Sequence, residues 1–488
     1  MALAGEVSSR TDHADARRRC IAIREALIGA GLFSETGADS AAGTRWRISP
    51  SPFSLSPDHA KFFESLGAHL LAFYRALNRL YFESVHGTQP AWIAAYLDQG
   101  KPDSLIAYSR LDRFRDLLPD VIRPDAIPTD NGMVITELDS VPGGIGLTGC
   151  MAQAYAATQF SALGAQRVDV VGGSDGMVRG FAAMLRERMG SRAGGVAIVV
   201  SEEAQDYRPE MEWVAARLRE QDLAVFCVEP DEVDFTEDGL RLARDHRPIA
   251  LLYRFYELFD LPNVPKSELI MYAAKQGRVA VTPPFKPQME EKLAFALFHH
   301  PALTAFWQDE LGEEPHAILS RLLPKTWVLD PRPLPPAAVI PGLQLGGRAI
   351  ADWRDLSHAT QKGRRYVIKP SGFSPLAWGS RGVSVGHDLP QSEWAAVIDQ
   401  ALAAFPATPH ILQEFHKGRQ FELSYYNEQA QDVVPMAGRA RLSPYYFVRG
   451  GKAELAGILA TVCSPDKKLI HGMKDAIMAP CAVSLETR

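Results

Sequence analysis

The stretch Arg123-Pro-Asp-Ala-Ile-Pro-Thr-Asp-Asn-Gly-Met-Val-Ile-Thr-Glu-Leu-Asp139 decides the fold. Its centre, Thr129-Asp-Asn-Gly132, reads as the turn of a hairpin. Taking Asp130, Asn131 and Gly132 as a three-residue loop, with Gly132 left-handed, sets Thr129 opposite Met133, Asp125 opposite Glu137 and Arg123 opposite Asp139. Side chains alternate along strands, so Arg123, Asp125, Glu137 and Asp139 share one face. Like charges directly opposite destabilise a sheet. The three carboxylates therefore call for a cation, and an all-oxygen ligand set of Asp125, Glu137 and Asp139 suits Mg²⁺.

Outward from the hairpin, Pro142-Gly-Gly144-Ile-Gly146 leads into a helix over residues 147–159. Its glycines allow close backbone approach, and a helix N-terminus favours an anion such as a substrate carboxylate or a phosphate. A plain turn and helix start explains it equally well. Residues 174–189 read as another helix with Ser174 as N-cap. Upstream, residues 10–32 form an opening helix. Pro57–Val85 forms a longer one with Phe62, Leu66, Leu70, Phe73 and Leu77 on one stripe. Downstream, the runs Val196-Ala-Ile-Val-Val200, Ala224-Val-Phe-Cys-Val228 and Ala250-Leu-Leu-Tyr253 read as strands, with a helix over 210–220 between the first two. Strand, helix, strand at this spacing argues a parallel α/β domain over 191–287.

The chain has 488 residues, too many for one core, so two or three domains are expected. Hydrophobic residues make up 46% and charged residues 23%, the balance of a globular protein, and a net charge of −6 gives no basic footprint for nucleic acid. Cys20, Cys150, Cys227, Cys463 and Cys481 are few and widely spaced, which reads as reduced thiols and not a disulfide or zinc framework. No apolar run is long enough for a bilayer, and the start lacks a secretory core, so a cytoplasmic location without a membrane partner is expected.

In the last part, residues 290–298 read as a helix and residues 330–341 as proline-rich connectors. Tyr366-Val-Ile-Lys369 is a strand, followed by Pro370 and a glycine-bearing loop over 371–386 that contains Gly379-Ser-Arg-Gly-Val383. A helix over 391–404 and strands at 411–415, 421–426, 433–436 and 445–448 complete a mostly antiparallel α+β region. Lys369 can hold a phosphate as a point charge while loop N–H groups wrap the oxygens. A surface loop with a lysine at its base is the competing reading. The loop matches neither a P-loop nor a dinucleotide fingerprint. Gln413-Glu414-Phe415 ends a strand where a peptide group can pair with an adenine edge and Glu414 can accept from its amine; a solvated strand end is the bland alternative.

The order Val367-Ile-Lys-Pro370, the loop with Ser380 and Gly382, then Ile411-Leu-Gln-Glu414 resembles the nucleotide-binding half of ATP-grasp enzymes. The acidic hairpin lies N-terminal to it, an order that resembles the circularly permuted group containing eukaryotic-type glutathione synthetase and glutathionylspermidine synthase. Arg123, Asp125, Glu137 and Asp139 match that group's Arg-x-Asp and Glu-x-(Asn or Asp) pattern, with Asp139 where Asn is usual. The resemblance implies a permuted ATP-grasp fold with an inserted parallel α/β substrate domain. It implies segments of 1–190 (helical region and hairpin), 191–287 (substrate domain) and 288–488 (nucleotide region). It also implies that the acids hold Mg²⁺, that Arg123 stabilises the moving phosphoryl group, and that Lys292 pairs with Lys369 on the phosphates of ATP, with Lys325 as a weaker alternate. Read without the resemblance, Lys292 is simply a lysine on an amphipathic helix.

Gly438-Arg439-Ala-Arg441 places two arginines on one side of an extended segment. Arg441, and less so Arg439, is a candidate to meet an acyl phosphate; solvated edge charges are the alternative. Asp206, Arg208, Glu210, Arg254 and Glu257 follow strands of the parallel domain, the usual ligand position, and are candidates for substrate recognition; Arg208 and Glu210 read equally well as solvated cap residues, and Arg254 and Glu257 have the same two readings. His299, His300 and His471 lack metal-ligand spacing and read as structural or surface histidines, and Cys150 lacks a neighbouring base. The resemblance implies an ATP-dependent carboxylate–amine ligase acting through an acyl phosphate on small-molecule or peptide acids and amines. A kinase, or a nucleotide-binding regulatory protein with little turnover, are the alternatives. A homodimer is compatible with all of these.

Overall fold

The computed structural model describes residues 3–33, 46–159, 169–467, 469–471 and 475–483. Its largest layer is a nine-stranded sheet with strand order 47–48, 477–483, 452–463, 432–449, 121–129, 132–139; Gln420–Asn427 adds to Asp432–Arg449, and Phe53–Leu55 and Asp169–Val170 add to Ile477–Val483. Strands from the first and last parts of the sequence thus share one sheet. The short strands expected at 433–436 and 445–448 are one continuous strand, Asp432–Arg449.

The helix Pro57–Val85 forms where the sequence placed it. Ser56 caps it by accepting from the His59 N–H, and Pro57 occupies the first turn. Its buried stripe is Phe63, Leu66, Leu70, Phe73 and Leu77, with Phe62 only partly buried. That stripe covers the back of the large sheet, where the Tyr446 hydroxyl donates to the Phe63 carbonyl at 2.6 Å. Gly67 permits the approach: a Cβ there would lie 2.6 Å from the Ala453 oxygen.

The hairpin differs from expectation in its turn. Thr129 pairs with Gly132 and Pro128 with Met133, so the loop has two residues, not three. A bulge between Asp125 and Ala126 then leaves Thr136 as the extra residue, and the expected pairs Asp125–Glu137 and Arg123–Asp139 are restored. The surplus residue has moved from the turn into the strand, where a bulge frees a backbone group and re-aims its neighbours.

The second layer is a six-stranded sheet ordered 225–228, 195–200, 248–255, 239–242, 233–236, with Ala280–Thr282 also on Pro248–Phe255. The first two, the central strand and Ala280–Thr282 run parallel, and the 233–242 hairpin is antiparallel. A third, antiparallel sheet orders 326–328, 410–414, 366–370, 384–385. Helix Gln391–Ala404 buries Trp394, Ile398 and Leu402 against it. Ser174 does not cap the following helix: Gly176–Met189 begins after Asp175. Among the described residues no helix is long and apolar enough to cross a membrane.

Candidate active site

A cleft of about 1070 Å³ opens where the three sheets meet. Its floor is the face of the nine-stranded sheet that carries Arg123, Asp125, Glu137, Asp139 and Arg441. The antiparallel four-stranded sheet contributes Lys369, Gln413, Glu414 and Phe415, and the loop after Lys369 contributes Ser380. Lys292 and Arg439 line it as well. Gly382 does not: a Cβ there would sit 2.8 Å from Pro370 Cδ and from the Leu376 carbonyl, so this glycine lets the loop fold on itself.

Two lysines cross to the hairpin. Lys369 Nζ donates to the Thr136 carbonyl at 2.8 Å, the group released by the bulge. Lys292 Nζ lies 2.8 Å from Glu137 Oε1 and donates to the Ala377 carbonyl of the loop. Lys292 is not helical, as first read; the helix starts at Ala294 and Lys292 sits in the preceding turn, with its N–H on the Ser371 carbonyl. Burial pushes the Lys369 ammonium down to about 8, against the pull of Glu137 and Asp125.

The acids are held by arginines. Arg123 Nη2 is 2.9 Å from Asp139 and 3.5 Å from Asp125. Arg441 Nη1 lies 3.2 Å from Asp125, whose other oxygen accepts from Ser443 at 3.2 Å. Burial opposes ionisation of Asp125, yet Arg123 and Arg441 hold its carboxyl below the ordinary value. For Asp139 burial prevails and, with Glu137 beside it, its carboxyl is raised. Among the described residues no group of three or more His, Cys, Asp or Glu side chains is gathered closely enough to hold a metal by itself. Mg²⁺ commonly takes one or two carboxylates and completes its shell with phosphate oxygens and water. Hairpin carboxylates facing the same cleft as two lysines fit that mode.

The strand end at 413–415 differs from its sequence reading. The Glu414 N–H is used by the Lys325 carbonyl and the Phe415 N–H by the Arg365 carbonyl. Buried Gln413 donates to Thr326 Oγ1. Both Glu414 and Phe415 line the cleft. Lys325 is absent from the cleft wall and serves through its carbonyl.

From the parallel sheet, Asp206, Glu210 and Glu257 line the cleft, whereas Arg208 and Arg254 do not. Arg208 pairs with Glu212 and Glu229 at 2.8 Å each, and fully buried Arg254 pairs with Glu290. His471, which reads from sequence as structural or surface, lines the cleft. His299 lies against the Leu323 carbonyl and His300 caps a turn. Cys150 is buried and its thiol is pushed up to about 12, far from a nucleophile. Sequence reading missed Tyr207, Trp378 and the Arg381–Glu203 ion pair at 2.8 Å, which joins the loop after Lys369 to the parallel domain. Long-range pairs of this kind have no local signal.

The helix Ile145–Gln159 starts at the cleft, but its N-terminus is already filled. Glu210 accepts from the Gly144 N–H at 2.6 Å and the Leu147 N–H at 3.0 Å. The anion anticipated there is the chain's own carboxylate. Burial raises the Glu210 carboxyl from 4.5 to about 7, outweighing those bonds. The folded state then binds the proton more tightly than the unfolded chain, so stability declines as pH rises from 4.5 to 7, by on the order of 3 kcal/mol. Glu210→Gln is expected to flatten that part of the Tm–pH profile; an unaltered slope in thermal unfolding across pH 4.5–7.5 removes this assignment.

A buried knot sets the two lysines relative to one another. Lys101 pairs with Glu291, both side chains nearly inaccessible at 0% and 2%. Ser371 Oγ donates to Glu291 and accepts the Leu293 N–H at 2.8 Å. Ser371 is two residues from Lys369, and Glu291 adjoins Lys292. Lys101→Met leaves a buried carboxylate unpaired and is expected to cost roughly 3–5 kcal/mol in urea unfolding, with Lys101→Met/Glu291→Gln recovering part of it. A loss below about 1 kcal/mol in the single variant contradicts the knot.

No family model matches the chain, and no curated protein matches it. Its architecture is nonetheless shared: the multidomain α/β fold is similar to that of a glutathione synthetase-like protein. The glutathione synthetase-like effector from Globodera pallida, in its apo form, aligns over 96% of this chain and 96% of its own at a TM-score of 0.58 and 11% identity. A candidate gamma-glutamylcysteine synthetase from Methylobacillus flagellatus covers 84% of this chain and 86% of its own at a TM-score of 0.40 and 11% identity, too loose to argue from.

Proposed function

We propose that the protein is an ATP-dependent carboxylate–amine ligase of the permuted ATP-grasp type. One observation carries this reading: Lys369 and Lys292 reach from the nucleotide side to the acidic hairpin, at 2.8 Å from the Thr136 carbonyl and from Glu137. Cations already lie where a triphosphate and its metal would join the two walls. In this reading segment 191–287 serves the substrates and 288–488 contributes the nucleotide wall.

Lys369, Lys292 and the loop with Ser380 hold the phosphates, and Glu414 and Phe415 face the base. One or two of Asp125, Glu137 and Asp139 would hold Mg²⁺ together with phosphate oxygens, and the ion when bound would neutralise phosphate charge. Arg123 and Arg441 orient the acid and stabilise charge on the transferring group. A substrate carboxylate oxygen attacks the γ-phosphorus as the bond to ADP breaks. An amine nitrogen then attacks the acyl carbon, the C–N bond forms, and the C–O bond breaks to release phosphate. The loop, joined to Glu203 through Arg381, excludes water from the acyl phosphate. A cytoplasmic setting, with ATP supply, accords with this chemistry.

The test is ADP release from ATP–Mg²⁺ with amino acids, short peptides and polyamines, with mass spectrometry of products. The ligase reading expects amine-dependent ADP release and an amide. Amine-independent ADP release with a phosphorylated product indicates a kinase. Nucleotide binding without release indicates a regulatory protein.

A further inference from the structure

The cleft floor changes character across the nine-stranded sheet. Its hairpin edge carries Arg123, Asp125, Glu137 and Asp139. One register row then runs from Arg441 to Thr461, from Thr461 to Met478 and from Met478 to Ile48. The adjoining row pairs Ser443 with Leu459. Directly paired residues share a face, so the floor passes from carboxylates and guanidiniums, through Ser443, to Leu459 and Met478. Trp46, two residues before Ile48 and on the same side of its strand, continues it. The far wall is Leu32 and Phe33, just past the helix Leu3–Gly29, and the Phe33 and Trp46 rings meet edge to face at 5.1 Å. The cleft is thus charged at the hairpin and apolar at Leu459, Met478, Trp46 and Phe33, with Arg439, two residues before Arg441 on the same strand, at the border between them.

Arg441 stands at the boundary. Its Nη1 is engaged by Asp125, but its Nε is buried with no hydrogen-bond partner, and the same holds for Nε of Arg123. Buried donors of this kind are costly unless a ligand meets them. A polar group at the far end would be desolvated against Leu459, Met478 and Trp46, which are 4%, 7% and 5% exposed.

We propose that the carboxylate substrate has an apolar body, aromatic or branched aliphatic, seated on Leu459, Met478, Trp46 and Phe33 while its carboxylate meets Arg441. This rests on the ligase reading and names the class of acid it takes. It also assigns a role to Leu32 and Phe33, just past the first helix, as a wall of the acid site.

The experiment uses the full chain with ATP–Mg²⁺ and hydroxylamine as the nucleophile, so that any activated acid is trapped as a hydroxamate. The acids are acetate, succinate, isovalerate and 3-phenylpropionate. Expected kcat/KM rises from acetate to isovalerate to 3-phenylpropionate by at least about fourfold per buried methylene, with succinate no better than acetate. Phe33→Ala, at a half-buried position, is expected to narrow the 3-phenylpropionate-to-acetate ratio by about tenfold. Hydroxamate formation that favours succinate, or that is indifferent to the body of the acid, overturns the apolar site and leaves the ligase standing. A Phe33→Ala ratio equal to wild type overturns the seat at Phe33. No hydroxamate from any acid overturns the ligase reading and this inference with it.

Discussion

Glu137→Gln is expected to reduce ADP release by at least about three orders of magnitude while moving Tm by no more than about 3 °C. The side chain is 30% exposed in its pair with Lys292, so loss of that pair alone costs the fold little. Its charge matters more than its shape. Glu137 is the hairpin carboxylate that pairs with Lys292, and Lys369 bonds to the residue before it. A triphosphate drawn to those lysines needs a compensating cation between itself and this acid, and a neutral amide of the same size provides no charge to hold one. ADP release at near wild-type rate, with unfolding unchanged, removes Glu137 from the metal site and with it the division of roles between floor and opposite wall.

The sequence made the hairpin legible because a strand has a strict period of two. Any turn and bulge that bring Asp125 opposite Glu137 put all four charges on one face. That is why a misjudged loop length did not disturb the pairing: the bulge at Thr136 compensated for the shorter turn. The consequence of the bulge, a freed carbonyl for Lys369, had no sequence signal. Helices Pro57–Val85 and Gln391–Ala404 were equally readable, because each has an apolar stripe of helical period and a proline-marked start. What escaped was long-range. Glu210 read as a cap or ligand on its own helix, yet it fills the N-terminus of another, 63 residues back at Leu147. The strand end at 413–415 read as an exposed peptide group, but the carbonyls of Lys325 and Arg365, each just before a neighbouring strand, take the Glu414 and Phe415 N–H groups. Arg254 read as a ligand candidate, and burial turned it into the partner of Glu290. In each case the local pattern gave the element, and a partner distant in sequence gave the role.

Lys369→Met is expected to weaken ATP binding by at least about 100-fold and to leave the free protein as stable as wild type or more so, by roughly 0–3 kcal/mol. Lys369 is 6% exposed, and burial holds its ammonium at about 8 in place of 10.5. The folded state therefore binds this proton less tightly than the unfolded chain. Between pH 8 and 10.5 the unfolded chain carries more protons, so stability rises with pH through that window; below pH 8 the full penalty of the buried charge is present. A single carbonyl bond at 2.8 Å to Thr136 does not offset it. Methionine has nearly the same reach and no charge, so it removes the penalty and the pH dependence together. A lysine that costs the fold at neutral pH fits a group kept for a ligand, and under the proposed function a bound phosphate would offset the charge that Lys369 already carries. Calorimetric titration with ATP and thermal unfolding at pH 7 and pH 9.5 measure both sides. A variant that binds ATP as the wild type does makes Lys369 a structural strut, whereas one that loses both binding and stability makes the lysine part of the core.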